Sequence, residues 1–118
     1  MALGADKVTT VPVHFARGAD SAQLHGTFSG YDSINYEIAA QSGQQMTVKI
    51  EGSRNANFNV FAPGDQPGQS AASGSGYPGK AWSGVLPRTG TYTVQVYQMR
   101  ASARRGEKVP HDVTFTIR

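Results

Sequence analysis

Apolar and polar residues alternate along almost the whole chain. Val11, Val13 and Phe15 share one phase against Pro12 and His14, and Leu24, Gly26 and Phe28 oppose Gln23, His25 and Thr27. Tyr36 and Ile38 oppose Asn35 and Glu37; Met46, Val48 and Ile50 oppose Thr47, Lys49 and Glu51. The pattern continues through Phe58, Val60 and Ala62, through Trp82 near Val85, and through Tyr92, Val94 and Val96, and it closes on Val113, Phe115 and Ile117. Successive side chains of a strand point to opposite faces, so a period of two predicts strands with one buried face each, as in antiparallel sheets packed face to face. About eight such strands separated by turn residues predict an all-β fold, an antiparallel β-sandwich or a compact barrel.

The turns are marked by residue type. Ser29, Gly30, Tyr31 and Asp32 link the second and third strands, and Gln41, Ser42, Gly43 and Gln44 link the third and fourth. Pro87, Arg88, Thr89 and Gly90 precede the strand over 91–98, with Gly90 suited to a positive φ at that corner. Residues 63–80 (PGDQPGQSAASGSGYPGK) form a low-complexity stretch too long for a hairpin connection and are expected to be a mobile loop. Residues 99–105 either form one short helical stretch, with Gly106 as its stop, or extend the preceding strand. Arg100 and Arg104 share a face in both cases, because a separation of four suits either period.

At 118 residues the chain has room for one core and is expected to be a single domain over 1–118, with 1–7 a flexible N-terminus. The absence of cysteine removes disulfides, thiolate metal sites and thiol nucleophiles. No apolar run reaches membrane-spanning length, and the opening MALGADK lacks the basic-then-apolar layout of a secretory signal, so an exported form would have lost its signal already.

Charge is concentrated rather than spread. Arg100, Arg104, Arg105 and Lys108 less Glu107 give +3, the formal net charge of the whole chain. Solvation of a surface loop accounts for such a cluster in the simplest reading. The cluster is too short for a nucleic-acid stripe, and the aromatic residues fall mainly in core phase, with Tyr31, Tyr77 and Tyr97 the exceptions. Catalytic chemistry is poorly supplied. His14, His25 and His111 fall at outward-facing or strand-start positions and read as solvated; no metal-binding or nucleophile motif occurs in a supporting context, and acidic residues are too scattered for a carboxylate pair. The chain is therefore not expected to be an enzyme, and no cofactor or metal is expected.

Two resemblances rest on these residues. The segment 30–36 followed by Ser42, Gly43 and Gln44, then 58–63, then Thr89, Gly90, Thr91 and Tyr92, resembles the bacterial pre-peptidase C-terminal type of β-sandwich, which implies fold. A narrower resemblance, to the periplasmic inhibitors of g-type (goose-type) lysozyme, covers the chain from about Val11 onward. It is carried by Phe15, Ala16, Arg17 and Gly18 with Ser21, Ala22 and Gln23; by the Ser29, Gly30, Tyr31, Asp32 turn with Asn35 and Tyr36; and by Thr89, Gly90, Thr91 and Tyr92, then Tyr97, Gln98, Met99 and Arg100 with Ala103 and Arg104, and the closing strand 113–118. This resemblance implies a periplasmic, non-catalytic protein that inserts polar loops into the substrate cleft of the lysozyme. The target-binding residues would be Tyr31, Arg100 and Arg104, with Ser29, Gly30 and Arg105 beside them, and neither nucleic acid nor membrane would be a partner.

Each of these residues also has a structural reading. Tyr31 could cover the end of the sandwich, Arg100 could pair with Glu107 or another acid, Arg105 and Lys108 could be solvated steering charges, and Ser29 and Gly30 could simply make the turn. The alternative function is a carbohydrate- or peptidoglycan-binding accessory module, and a third is a calcium-stabilised domain drawing on Asp6, Asp20, Asp32, Asp65 or Asp112. Both a monomer and a weak homodimer paired through sheet edges are compatible with the sequence.

Overall fold

The computed structural model describes residues 6–118, which form nine strands and one short helix. In chain order these are β1 (Val8–Pro12), β2 (Ser21–Ser29), β3 (Ser33–Ala40), β4 (Gln45–Gly52), β5 (Asn57–Phe61), β6 (Gly74–Gly76), β7 (Trp82–Val85), β8 (Gly90–Tyr97), α1 (Arg100–Arg104) and β9 (Lys108–Ile117). They build a five-stranded sheet in the order β1-β3-β8-β5-β6 and a four-stranded sheet in the order β2-β9-β4-β7. The two sheets stay separate, so the fold is a sandwich and not a barrel. One pair departs from the antiparallel pattern: β1 runs parallel to β3. The 13–20 connection carries the chain from β1 across to β2 in the other sheet, so no tight hairpin forces β1 to be antiparallel to its neighbour.

The alternating residues meet where the sequence places them. Tyr36, Ile38, Met46, Val48, Ile50, Phe58, Val60, Tyr92, Val94, Val96, Val113 and Phe115 are all buried in one core between the sheets. The corner before β8 is locked by Tyr92, whose hydroxyl donates to the Arg88 carbonyl at 2.5 Å and accepts the Arg88 N–H at 3.2 Å.

Two expectations about strands and loops change. Val85 is 71% exposed, because the inward phase of β7 runs through Trp82 and Gly84 to the buried Leu86; Trp82 itself is only partly buried. Residues 63–80 are not a plain loop: β6 lies inside them and pairs with β5, and Tyr77 bridges Lys80. Of the flexible N-terminus expected over 1–7, residues 1–5 lie outside the described residues, while the Lys7 carbonyl accepts the Ser33 N–H at 3.0 Å.

The third correction is His111, which is buried at 3% exposure and not solvated. It continues the inward phase of Val109, Val113 and Phe115 on β9. Its Nε2 lies 2.8 Å from the Tyr36 hydroxyl and its Nδ1 3.3 Å from the Val109 carbonyl. A neutral ring with its proton on Nδ1 satisfies both, accepting from tyrosine and donating to the carbonyl. Space for the pair comes from Gly26, where an added Cβ would sit 2.5 Å from the Tyr36 hydroxyl oxygen. Burial lowers the His111 pKa, against smaller opposing effects of the Val109 carbonyl and Asp112, and burial pushes the Tyr36 hydroxyl up to about 12.

A pH dependence follows with a definite sign. Below the ordinary imidazole value of 6.5, the unfolded chain takes up a proton that folded His111 resists. The stability from this group is therefore present above pH 6.5 and is lost as the pH falls toward its lower folded value. In denaturant unfolding between about pH 7 and pH 5, His111→Gln is expected to show a shallower acid loss than the wild type, whatever its stability at pH 7. Equal slopes would rule out this contribution.

Candidate functional site

At one end of the sandwich the turn between β2 and β3 meets the crossover from β8 to β9. Their junction is made by backbone: Ser29 pairs with Lys108 at the end of the ladder, and the Gly30 N–H donates to the Glu107 carbonyl at 3.2 Å. Gly30 has φ +59, a conformation that favours glycine, and its open face lies against α1, with the Ala103 carbonyl 3.7 Å from where a Cβ would be. The Asp32 N–H closes the turn on the Ser29 carbonyl at 3.1 Å, and the Asp32 carboxylate accepts the Lys7 N–H at 2.9 Å.

Gln98 clamps the two segments. Its side-chain amide nitrogen donates to the carbonyls of both Gly30 and Glu107, each at 2.9 Å, from a position 6% exposed. Its Oε1 is buried without a hydrogen-bond partner among the described residues. Turning the amide over would set that oxygen against two carbonyl oxygens, so the orphaned acceptor is the smaller loss. Gln98→Leu removes both donated bonds and leaves the Gly30 carbonyl without this partner. It is expected to lower stability by about 1–3 kcal/mol, read as a reduced denaturant midpoint at unchanged slope.

The five-residue helix α1 is held by its surroundings more than by its own propensity. Ser102 and Ala103 are buried against the turn, the Ser102 hydroxyl donates to the Met99 carbonyl at 3.2 Å, and Gly106 (φ +70) ends the segment. Arg100, Ala101 and Arg104 face solvent. Neither Arg100 nor Arg104 has an ion-pair partner among the described residues. The acid that could have paired with Arg100 is occupied elsewhere: Glu107 takes Arg105 at 2.5 Å and the Asn55 side-chain amide at 3.0 Å. Local helix energetics explain Arg100 poorly, since a cation at a helix N-terminus opposes the helix dipole and two like charges four residues apart repel.

Tyr31 stands on the adjoining turn at 51% exposure, too open to be a cover for the sandwich end, and Met99 is exposed beside α1. The structure thus brings Ser29, Gly30, Tyr31, Arg100, Arg104 and Arg105 to one end, but in different states. Arg100, Arg104 and Tyr31 project outward, Gly30 has both backbone groups engaged internally, and Arg105 is tied to Glu107. The sequence reading missed the supports, Gln98, Asn55 and Glu107. Gln98 carried a usable signal, because it continues the buried phase of Tyr92, Val94 and Val96.

No protein-family model matches the chain. The inhibitor of g-type lysozyme from Escherichia coli strain K12 is 31% identical to it over 108 residues, covering 92% of this chain and 80% of that protein. The crystal structure of Aeromonas hydrophila PliG, a periplasmic lysozyme inhibitor of g-type lysozyme, is 63% identical, covering 97% of this chain and 100% of that one at a TM-score of 0.94. Salmonella Typhimurium PliG follows at 28% identity and a TM-score of 0.72, covering 93% of this chain and 98% of its own. The pre-peptidase C-terminal domain of Bacillus anthracis collagenase matches at a TM-score of 0.63 but only 10% identity, a likeness of fold alone. With 31% identity to the curated relative spread over 92% of its own length, the chain belongs to the family of inhibitors of g-type lysozyme.

Proposed function

We infer that the chain is a periplasmic protein inhibitor of g-type lysozyme, without catalytic activity of its own, and that it places Tyr31, Arg100 and Arg104 in the enzyme's substrate cleft. The observation that carries this mode is the pair of arginines without an ion-pair partner among the described residues, beside an exposed tyrosine on two loops clamped by Gln98. Glycoside hydrolysis works through carboxyl groups flanking the scissile bond. A guanidinium offers a planar fork of donors matched to a carboxylate, and such charge-assisted bonds are about twice as strong as neutral ones. Tyrosine brings apolar area with a polar tip and few rotors to immobilise, which suits a subsite shaped for a sugar ring.

The clamp contributes by preorganisation. Loops already fixed before encounter lose little entropy on binding. In this reading Ser29 flanks Tyr31, Gly30 shapes the turn, and Arg105, held by Glu107, adds field more than contact. The test is lysis of cell-wall suspensions by a g-type lysozyme titrated with the purified chain, with a hen-type lysozyme in parallel. Stoichiometric inhibition of the g-type enzyme is expected; its absence with the folded protein would refute the function.

A further inference from the structure

The two sheets leave open edges at β1, β6, β2 and β7. β1 has five residues and ends in Pro12, β7 has four, and β6 has three. Short strands and proline are the usual protection against edge pairing. β2 has neither: it runs nine residues, Ser21–Ser29, with no proline, no charged side chain and an unbroken register against β9.

The hydrogen-bonding parity of β2 can be read from its two ends. The Ile117 N–H donates to the Asp20 carbonyl at 2.9 Å, and the Gly30 N–H donates to the Glu107 carbonyl at 3.2 Å. Both contacts continue the register in which Ala22 opposes Phe115 and Leu24 opposes Val113. The even-numbered residues therefore bond to β9, and the N–H and C=O groups of Gln23, His25 and Thr27 point to the open side. No described segment pairs with that side. Ala22 and Leu24, on the inward face, are only partly buried although they pack on the core.

We propose that this edge pairs with the β2 of a second copy, antiparallel about a two-fold axis at His25, joining two four-stranded sheets into one continuous sheet. That register sets Gln23 opposite Thr27 of the other copy and His25 opposite its equivalent, so all the outward groups of these residues are bonded. Inward, Ala22 comes opposite Phe28 and Leu24 opposite Gly26, which adds apolar cover where it is missing and gives the leucine room. Outward, Ser21, Gln23 and Thr27 are uncharged, and each His25 at the axis has its Nδ1 on the Asp112 carboxylate of its own copy, so no unpaired like charges oppose each other. A nine-residue strand that matches itself in this way favours a second copy over an unrelated strand. Antiparallel pairing also sends the two 29–32 turns to opposite ends, so both candidate lysozyme-binding surfaces remain open.

Sedimentation equilibrium and NMR amide exchange on the wild-type protein test this directly, at concentrations up to about 1 mM, the weak end of specific association. The mass is expected to rise from 12.6 kDa toward twice that value. Exchange of the Gln23, His25 and Thr27 amides is expected to slow by about tenfold or more as dimer forms, while the β9-bonded amides of Leu24 and Phe28 are slow throughout. Thr27→Pro removes only an outward donor and is expected to stay monomeric and still inhibit g-type lysozyme; His25→Lys, which sets two cations at the axis, serves if the proline variant does not fold. A protein monomeric throughout, or a dimer whose three outward amides stay fast, overturns the proposal. So does slowing of these amides only when lysozyme is added, which would put the enzyme on this edge.

Discussion

The double variant Arg100→Ala, Arg104→Ala is expected to inhibit g-type lysozyme about a thousandfold less well than the wild type, with its fold intact. A desolvated central anchor at a protein interface is worth about 2 kcal/mol or more on truncation, and each 1.4 kcal/mol is a factor of about ten. The two side chains sit one helical turn apart and would share the same cleft, so their effects can couple and the loss could fall nearer a hundredfold. Ordinary surface charges would give far less, since exposed pairs contribute about 0–1 kcal/mol.

The same variant separates contact from stability. Removing two like charges from a five-residue helix takes away a repulsion, so the thermal midpoint should be unchanged or slightly higher. Arg105→Ala is the natural control: its guanidinium is held by Glu107, and it is expected to change affinity less than either of the other two. Association of the wild type should slow as salt screens the local +3, and the double variant should show a flatter dependence. Wild-type inhibition by the double variant would place the binding surface elsewhere.

The largest stability effect is expected at Phe115. This side chain is fully buried two residues from the end of β9, the strand that joins β2 to β4, opposite Ala22 on one side and Val48 on the other. Its ring packs 5.7 Å from Tyr36 of the facing sheet, whose hydroxyl engages His111. Phe115→Ala opens a cavity between the sheets and is expected to lose about 3–5 kcal/mol. For a domain of this size that is a large share of a total of about 5–15 kcal/mol, and it should lower the melting midpoint by roughly 10–20 °C. Phe115→Leu retains most of the volume and should lose clearly less. Equal losses in the two variants would show that the void is not the cause.

Which residues face the core was legible because alternation is a local property: a strand's period of two holds whatever its neighbours are. The all-β class and the placing of Arg100 and Arg104 on one face follow from spacing, the turns at 29–32 and 87–90 from residue type, and the choice of sandwich over barrel only from the two separate sheets. The family resemblance, carried by those same turns, pointed to the end of the molecule where the unpartnered arginines stand. His111 and Gln98 each continue an apolar phase with a polar residue, but that signal went unused: His111 was expected to be solvated, and the partners Tyr36, Gly30 and Glu107 are far away in sequence or out of phase.

Tertiary structure decided what depends on non-local partners. Glu107 could have neutralised Arg100 or Arg105; the position of Asn55, brought in from the connection between β4 and β5, accompanies its choice of Arg105 and leaves Arg100 open. The parallel entry of β1, the strand hidden inside 63–80, and the exposure of Val85 likewise depend on which segments lie alongside. The chain's own alternation thus determined which side of each strand is apolar. Only the packed sheets determined which polar groups were desolvated and satisfied inside, and which were left outward with their charge unspent, because desolvation and hydrogen bonding depend on neighbours that spacing cannot name.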